Sequence, residues 1–231
     1  MGRSVVLAGA ARCSGCSLQP RWCVCEALPL VETHLAVHVL IHRHELGKPS
    51  STGKVVARAV RGAACHTYQR VSRHFPPSGF PADARDPDRE LWILHPTGEP
   101  LPAATAAADA PYGKGIQILL LDGTWRQAGD MLRSVEGLGR CVRLPDAAAE
   151  PSRFWLRDQP EPSHVSTAEA LVQVLQAIGE SDAAQKLQLY FELHVYATLL
   201  ARGKREMAER YLGHSPLLTE ARDVLDRLHA R

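Results

Sequence analysis

An apolar run that stops at an acidic residue constrains the fold of this chain more than any other feature. Residues 116–121 read IQILLL, and Asp122 and Gly123 follow directly. From Thr124 onward the sequence has helical character, with Trp125 near its start. A buried strand, a tight turn and a helix start in this order are typical of α/β folds. In open α/β sheets, ligands bind where strands end and helices begin, so this segment is a candidate site.

Three side chains of this segment are candidates for chemistry. Asp122 can serve as a base, Thr124 as a hydrogen-bond donor and Trp125 as an aromatic surface for stacking. A structural interpretation competes with this one. In it, Asp122 and Thr124 cap the helix and Trp125 packs in the core.

Four of the cysteines form a cluster near the amino terminus. Cys13 and Cys16 make a C-x2-C pair, and Cys23 and Cys25 make a C-x-C pair after six intervening residues. Two close pairs of thiolates can converge tetrahedrally on a structural Zn²⁺, with no ligand position left open for catalysis. The gap is shorter than the roughly 15–20 residues of zinc ribbons, so we expect a compact knuckle. Disulfides or free thiols are the alternative; disulfides are disfavoured because nothing suggests secretion.

The length of 231 residues suits one α/β domain with a small appendage. We expect a zinc-binding segment over residues 1–30 and a catalytic domain over residues 31–231. No apolar run approaches the roughly 20 residues of a membrane span. The amino terminus lacks the core of a signal peptide, so a cytoplasmic protein is expected. The sequence does not fix the oligomeric state, and a monomer is the expectation.

The order of the elements predicts a mostly parallel sheet. Strands alternate with helices early in the chain, and helices dominate late, which is typical of α/β proteins. The predicted elements are strands at 35–41, 91–94, 116–121 and 141–144, and helices at about 52–62, 166–179, 182–203 and 216–229.

The net charge of +2 is too mild to indicate a nucleic-acid binder by itself. A local basic patch can still hold a phosphate backbone, although a solvated charged face is the simpler explanation for any one residue. The candidates for such a patch are Lys48, Arg58, Arg61, Arg70, Arg73, Arg153 and Arg157.

The segment Asp122-Gly123-Thr124-Trp125 resembles the D-x-T-W signature of the DTW-domain family of tRNA-uridine aminocarboxypropyltransferases. Three further segments resemble that family in the same order: the cysteine cluster, GKPSSTGK at residues 47–54 and VSTAEA at residues 165–170. The resemblance is nearest to the short bacterial members. Ser51 is a departure, because the family more usually has Asn there, and this puts a side-chain contact at that position in question.

The resemblance implies a SPOUT-like α/β fold with a C-terminal trefoil knot that holds S-adenosylmethionine. It implies transfer of the 3-amino-3-carboxypropyl group to N3 of a tRNA uridine, at position 47, with release of 5′-methylthioadenosine. Asp122 would be the general base and Lys48 would reach a phosphate. The implied cofactor-binding residues are Thr52, Gly53, Leu121, Thr124, Trp125, Thr167 and Glu169.

The start of the helix near residue 166 has two compatible interpretations. Ser166 followed by Glu169 predicts a capping box. The same helix start offers free N–H groups and positive potential to the carboxylate of S-adenosylmethionine, with Thr167 as a further donor.

Two other functions compete with the aminocarboxypropyl transfer: a SPOUT-like RNA methyltransferase, and a zinc-containing RNA-binding module without catalysis.

Overall fold

A parallel sheet of five strands forms the centre of the computed structural model, which describes residues 11–70, 79–102, 115–145, 151–157, 165–215 and 217–230. The strands are β1 (Ala36–His42), β2 (Ala64–Tyr68), β3 (Arg89–Pro100), β4 (Gly115–Asp122) and β5 (Arg140–Arg143). Their order across the sheet is β2-β1-β4-β3-β5, and every pair of neighbours is parallel. The predicted mixed α/β class with a parallel sheet is confirmed.

Helices cover both faces of the sheet. They are α1 (Gly53–Ala59), α2 (Trp125–Ser134), α3 (Thr167–Ala177), α4 (Ser181–Ala201), α5 (Arg205–Gly213) and α6 (Arg222–His229). Ile118 and Leu120 of β4 join the core shared with α1, α3 and α4. Leu119, between them, joins the smaller core that contains Met131 of α2. Because successive strand residues face opposite sides, a strand covered on both faces reads as a continuous apolar run.

Two elements were not predicted from the sequence, and one was placed too early. Strand β2 reads ACHTY and its burial alternates, so it has no apolar run that would reveal it. Helix α5 reads REMAERYLG and buries only Ala208 and Tyr211. The helix expected over 216–229 begins only at Arg222, after a 3-10 turn at Leu217–Ala221.

The amino-terminal segment packs against the main domain. Leu18 and Val24 are 2% and 3% exposed and belong to the same core as Val39 of β1. The division at residue 30 and the C-terminal knot stay predictions. Within the described ranges, no helix combines the length and the apolar character needed to span a lipid bilayer.

His194 of α4 joins this helix to the loop after β1. Its side chain is 2% exposed, and its Nε2 lies 2.6 Å from the carbonyl oxygen of Pro49, to which it donates. Burial lowers the pKa of His194 to about 4 from an ordinary value of 6.5. The imidazole is therefore neutral in the folded protein at neutral pH.

The burial of His194 predicts acid sensitivity. As the pH falls from 6.5 towards 4, the unfolded chain binds a proton at this histidine and the folded protein does not, so the free energy of unfolding decreases. At about 1.4 kcal/mol per pH unit, the loss attributable to this group is of the order of 3 kcal/mol. His194→Gln keeps a donor and removes the titration. Denaturant melts at pH 6.5 and 4.5 are expected to show a smaller decrease for the variant; an equal decrease would contradict the assignment.

Candidate active site

Three segments meet at the carboxylate of Asp122, where β4 ends. The side chain is 5% exposed. Its Oδ2 accepts a hydrogen bond from Ser51 Oγ at 2.5 Å. Its Oδ1 accepts from the Gly53 backbone N–H at 3.1 Å and from Thr167 Oγ1 at 2.7 Å. The loop before α1, the end of β4 and the start of α3 therefore converge at the carboxyl edge of the sheet.

Gly53 can approach this carboxylate because it has no side chain. A Cβ there would lie 2.7 Å from Cβ and Cγ of Asp122 and 2.8 Å from Cγ1 of Val39. The neighbouring Thr52 is 2% exposed, and its Oγ1 accepts from the Ala168 N–H at 3.3 Å. These two residues hold the starts of α1 and α3 together, and a direct contact with a cofactor stays a prediction for both.

Ser51 is the position where this chain departs from the family pattern. Its hydroxyl donates the shortest of the three hydrogen bonds to Asp122, at 2.5 Å. The side chain is 2% exposed. Serine at this position therefore makes a side-chain contact within the protein.

The turn after Asp122 separates the two competing interpretations of the DGTW segment. Thr124 caps α2: its Oγ1 accepts from the Gln127 N–H at 3.4 Å, and Gln127 Oε1 accepts from the Thr124 N–H at 2.8 Å. The capping interpretation is right for Thr124 and wrong for Asp122, which bridges three segments. Trp125 is 42% exposed, so the core interpretation of this residue is wrong. Leu121 is half-buried and packs against the smaller core.

Glu169 forms the predicted capping box and also anchors a distant segment. Its carboxylate accepts from the Ser166 N–H at 2.8 Å, and Ser166 Oγ accepts from the Glu169 N–H at 3.4 Å. The same carboxylate accepts from Ser152 Oγ at 2.8 Å and from the Arg153 N–H at 2.7 Å. Glu169 is 6% exposed and bonded to several donors, which gives it a structural role; its contact with a cofactor stays a prediction.

A buried ion pair beside the site was missed by sequence reasoning. Glu45 is 1% exposed and pairs with Lys48 at 2.7 Å and with the Arg157 guanidinium. Arg157 also donates to Ser50 Oγ at 2.9 Å. Burial raises the pKa of Glu45, but hydrogen bonds and charge from Lys48 and Arg157 outweigh it and hold the pKa below the ordinary value. Arg157 lies 112 residues from Glu45 in the sequence, so no local pattern reveals that pair.

The four clustered cysteines could hold a metal ion. Their sulfurs lie within 4.8 Å of one another, with Cys13 and Cys25 at 3.7 Å and Cys16 and Cys23 at 3.8 Å. Four sulfurs at about 2.3 Å from a tetrahedral Zn²⁺ are separated by about 3.8 Å. All six cysteines of the chain are free thiols, and these separations are far longer than the roughly 2.05 Å of a disulfide. The donor set fits the predicted zinc knuckle, and the disulfide alternative has no support.

Lys54 connects the cysteine cluster to the loop that reaches Asp122. Its Nζ donates to Ser17 Oγ at 2.5 Å and to the Leu46 carbonyl at 2.7 Å, and the side chain is 8% exposed. Ser17 has a left-handed backbone with φ of 60° and follows Cys16 directly. Because Lys54 is adjacent to Gly53, it ties the turn of the knuckle to the start of α1.

The residues expected to bind RNA are not brought together at the site. Lys48 is engaged by Glu45. Arg58 lies against the cysteine cluster, since a Cβ on Gly15 would be 2.6 Å from its Nε. Arg61 pairs with Glu32, and its backbone N–H bonds Val31, which precedes β1. Helix α1 runs away from Asp122, so Arg61 lies at the opposite edge of the sheet.

Comparisons with known proteins agree with the pattern of these segments. The chain is 25% identical over 188 residues to tRNA-uridine aminocarboxypropyltransferase 2 of Macaca fascicularis, an alignment that covers 77% of this chain and 59% of the relative. The mouse protein of the same name is 26% identical over 190 residues, with the same coverage. The protein of that name from Drosophila melanogaster is 27% identical over 189 residues, covering 79% of this chain and 72% of the relative.

The chain thus spans about 59% of the length of the two mammalian relatives. No solved structure matches it significantly. The sequence model of the DTW domain matches residues 10–199, which include the cysteine cluster and all three segments that meet at Asp122. The chain therefore belongs to the DTW domain family.

Proposed function

We propose that this protein transfers the 3-amino-3-carboxypropyl group of S-adenosylmethionine to N3 of a uridine in tRNA and releases 5′-methylthioadenosine. The observation that carries the proposal is the convergence of three family segments on Asp122 at the carboxyl edge of a parallel sheet. That edge is where α/β proteins bind ligands. The names of the relatives, tRNA-uridine aminocarboxypropyltransferases, support the reaction class and the tRNA substrate.

The carbon that reacts depends on how the protein positions S-adenosylmethionine. The sulfonium of S-adenosylmethionine makes both its methyl carbon and its γ-carbon electrophilic, so the protein must present the γ-carbon to the uridine. The hydroxyl and backbone N–H of Thr167, at the positive end of α3, would receive the carboxylate of the donor. Trp125, which is 42% exposed beside Asp122, would shape the pocket or stack on a ring. Positioning of this kind contributes up to about 7–11 kcal/mol to lowering a barrier.

Asp122 is the proposed general base. N3–H of uracil is weakly acidic, and a carboxylate within hydrogen-bond reach can accept its proton during attack. The carboxylate already accepts three protein hydrogen bonds, so as a base it must exchange one of them for the uracil N3–H. The Thr167 hydroxyl is the donor best suited to leave, because Thr167 is only half-buried whereas Ser51 and Gly53 are buried.

We also propose a structural zinc site near the amino terminus. Cys13, Cys16, Cys23 and Cys25 would bind one structural Zn²⁺. The proposed architecture is SPOUT-like with a C-terminal knot, divided into segments 1–30 and 31–231. Uridine 47 of tRNA is the proposed target and the cytoplasm is the proposed location.

The reaction predicts two products that can be measured together. Purified protein incubated with S-adenosylmethionine and unmodified tRNA is expected to yield aminocarboxypropyluridine in the RNA and 5′-methylthioadenosine in solution. Mass spectrometry of the digested tRNA and chromatography of the small molecules would detect both. A methylated uridine with S-adenosylhomocysteine would instead identify a methyltransferase. Bound tRNA with neither product would indicate a non-catalytic RNA-binding module.

A further inference from the structure

Exposed arginines follow the strands at the edge of the sheet where Asp122 lies. Arg43 comes directly after β1, Arg70 comes after β2, and Arg126 lies in the first turn of α2 after β4. The register places Asp122 opposite Ile41 of β1, and Tyr68 of β2 opposite His42. Because these three strands are neighbours and parallel, their arginines border the site on one edge.

Acidic side chains predominate at the opposite edge, where the strands begin. They precede or open β1, β3 and β5, or lie beside β1 at the end of α3. These residues are Glu32, Asp86, Asp88, Glu90, Glu136 and Glu180. Arginines also lie at this edge: Arg61 pairs with Glu32, Arg89 with Asp86, and Arg140 at the start of β5 with Glu99. Arg61, Arg89 and Arg140 are therefore each held by a carboxylate.

The arginines at the Asp122 edge have no acidic partner in the part of the chain that the structure describes. Among the described residues, no ion pair involves Arg43, Arg70 or Arg126. The acidic groups nearby are engaged elsewhere, since Glu45 is buried against Lys48 and Arg157, and Asp130 pairs with Arg133. Three exposed guanidinium groups thus keep their charge available for an external anion.

We infer that Arg43, Arg70 and Arg126 form a surface that binds the phosphate backbone of the RNA substrate, which we call the basic edge. The inference rests on the proposed function and deepens it. Neighbouring strands are about 4.8 Å apart, so the three strand ends that carry the basic edge span about 10 Å across the sheet. Such a row suits a polyanion better than a single small anion. A uridine that reaches Asp122 must also bring its flanking phosphates to this edge, whereas Arg58, in the last turn of α1, and Arg61, after that helix, lie towards the opposite edge.

The test is the salt dependence of tRNA binding. Arg43→Gln/Arg126→Gln is expected to weaken binding of unmodified tRNA by roughly tenfold or more at about 0.15 M salt. The slope of log K against log salt is expected to become shallower by about 1.4–1.8, because two phosphate contacts are lost. In turnover, KM for tRNA should rise, while kcat and the affinity for S-adenosylmethionine should stay at wild-type values. Filter binding and steady-state kinetics measure these quantities.

The matched control is Arg85→Gln/Lys186→Gln, which removes two exposed charges near the acidic edge. It is expected to keep wild-type affinity and slope. Arg43→Lys/Arg126→Lys keeps both charges and should retain most of the binding, which separates loss of charge from misfolding. Equal weakening by both Gln pairs would overturn the inference, because the effect would then be one of net charge.

The inference and the proposed function can fail separately. If the Gln pair at the basic edge binds and modifies tRNA like wild type, the surface is wrong and the reaction stands. If that pair loses binding but wild-type protein forms no aminocarboxypropyluridine, the surface stands and the reaction is wrong.

Discussion

Asp122→Asn is expected to reduce aminocarboxypropyl transfer by about 10²–10⁴, the usual contribution of a positioned general base, while the protein stays folded. The structure explains why this substitution isolates basicity. An asparagine Oδ1 can accept from the Gly53 N–H and from Thr167, as the aspartate does now. Its amide nitrogen can donate to Ser51 Oγ, since a hydroxyl can reverse from donor to acceptor. Single-turnover rates with tRNA measure the loss, and calorimetry checks that S-adenosylmethionine still binds.

Asp122→Ala is the contrasting variant, because it removes the acceptor itself. The hydroxyls of Ser51 and Thr167 and the N–H of Gly53 would lose their shared partner. An unsatisfied buried polar group costs about 1–3 kcal/mol, so a lower melting temperature and loss of S-adenosylmethionine binding are expected together. If Asp122→Asn turns over at the wild-type rate while Asp122→Ala unfolds or loses the donor, Asp122 positions three segments and Glu169 is the next candidate base.

The ends of the elements that meet at Asp122 could be predicted from the sequence because each is indicated by a local pattern. An apolar run ending at Asp122 identifies the strand end, and Ser166 with Glu169 identifies a helix start. Parallel strands bring their carboxyl ends to one edge, which explains why the loop after β1 reaches Asp122, whereas the contact of Thr167 with Asp122 depends on how α3 packs. The exposure of Trp125 did not follow, since an aromatic residue in the first turn of a helix can face either the core or solvent.

Contacts between distant residues account for what the sequence could not reveal. The pairing of Glu45 with Arg157 depends on how the segment at 151–157 lies against the loop after β1. Arg58 is predicted to bind RNA, and this stays a prediction, but its contact with the cysteine-cluster segment at Gly15 could not be foreseen from the sequence. The grouping of Arg43, Arg70 and Arg126 at one edge appears only when the strand order is known.

Removal of the metal is expected to have the largest effect on stability. Purified protein should contain about one Zn²⁺ per chain. Cys13→Ser or Cys23→Ser should release it and lower the free energy of unfolding by several kcal/mol, because metal binding and folding of such a site are coupled. Elemental analysis and thermal melts with and without a chelator test this. Cys65→Ser is the matched control, since Cys65 is an exposed thiol of β2 outside the cluster, and it should leave metal content and melting temperature unchanged.

Loss of the metal is expected to affect the candidate active site through Lys54. Its ammonium group joins Ser17 in the knuckle to Leu46 in the loop, and Lys54 directly follows Gly53, whose backbone N–H donates to Asp122. Chelation should therefore weaken binding of S-adenosylmethionine in wild-type protein. In Lys54→Met, which lacks both hydrogen bonds, the affinity should already be lower and chelation should reduce it less. Reduced wild-type protein that lacks metal, yet melts and binds S-adenosylmethionine as the metal-loaded protein does, would show that the four thiols pack without a metal and that the knuckle does not support the site.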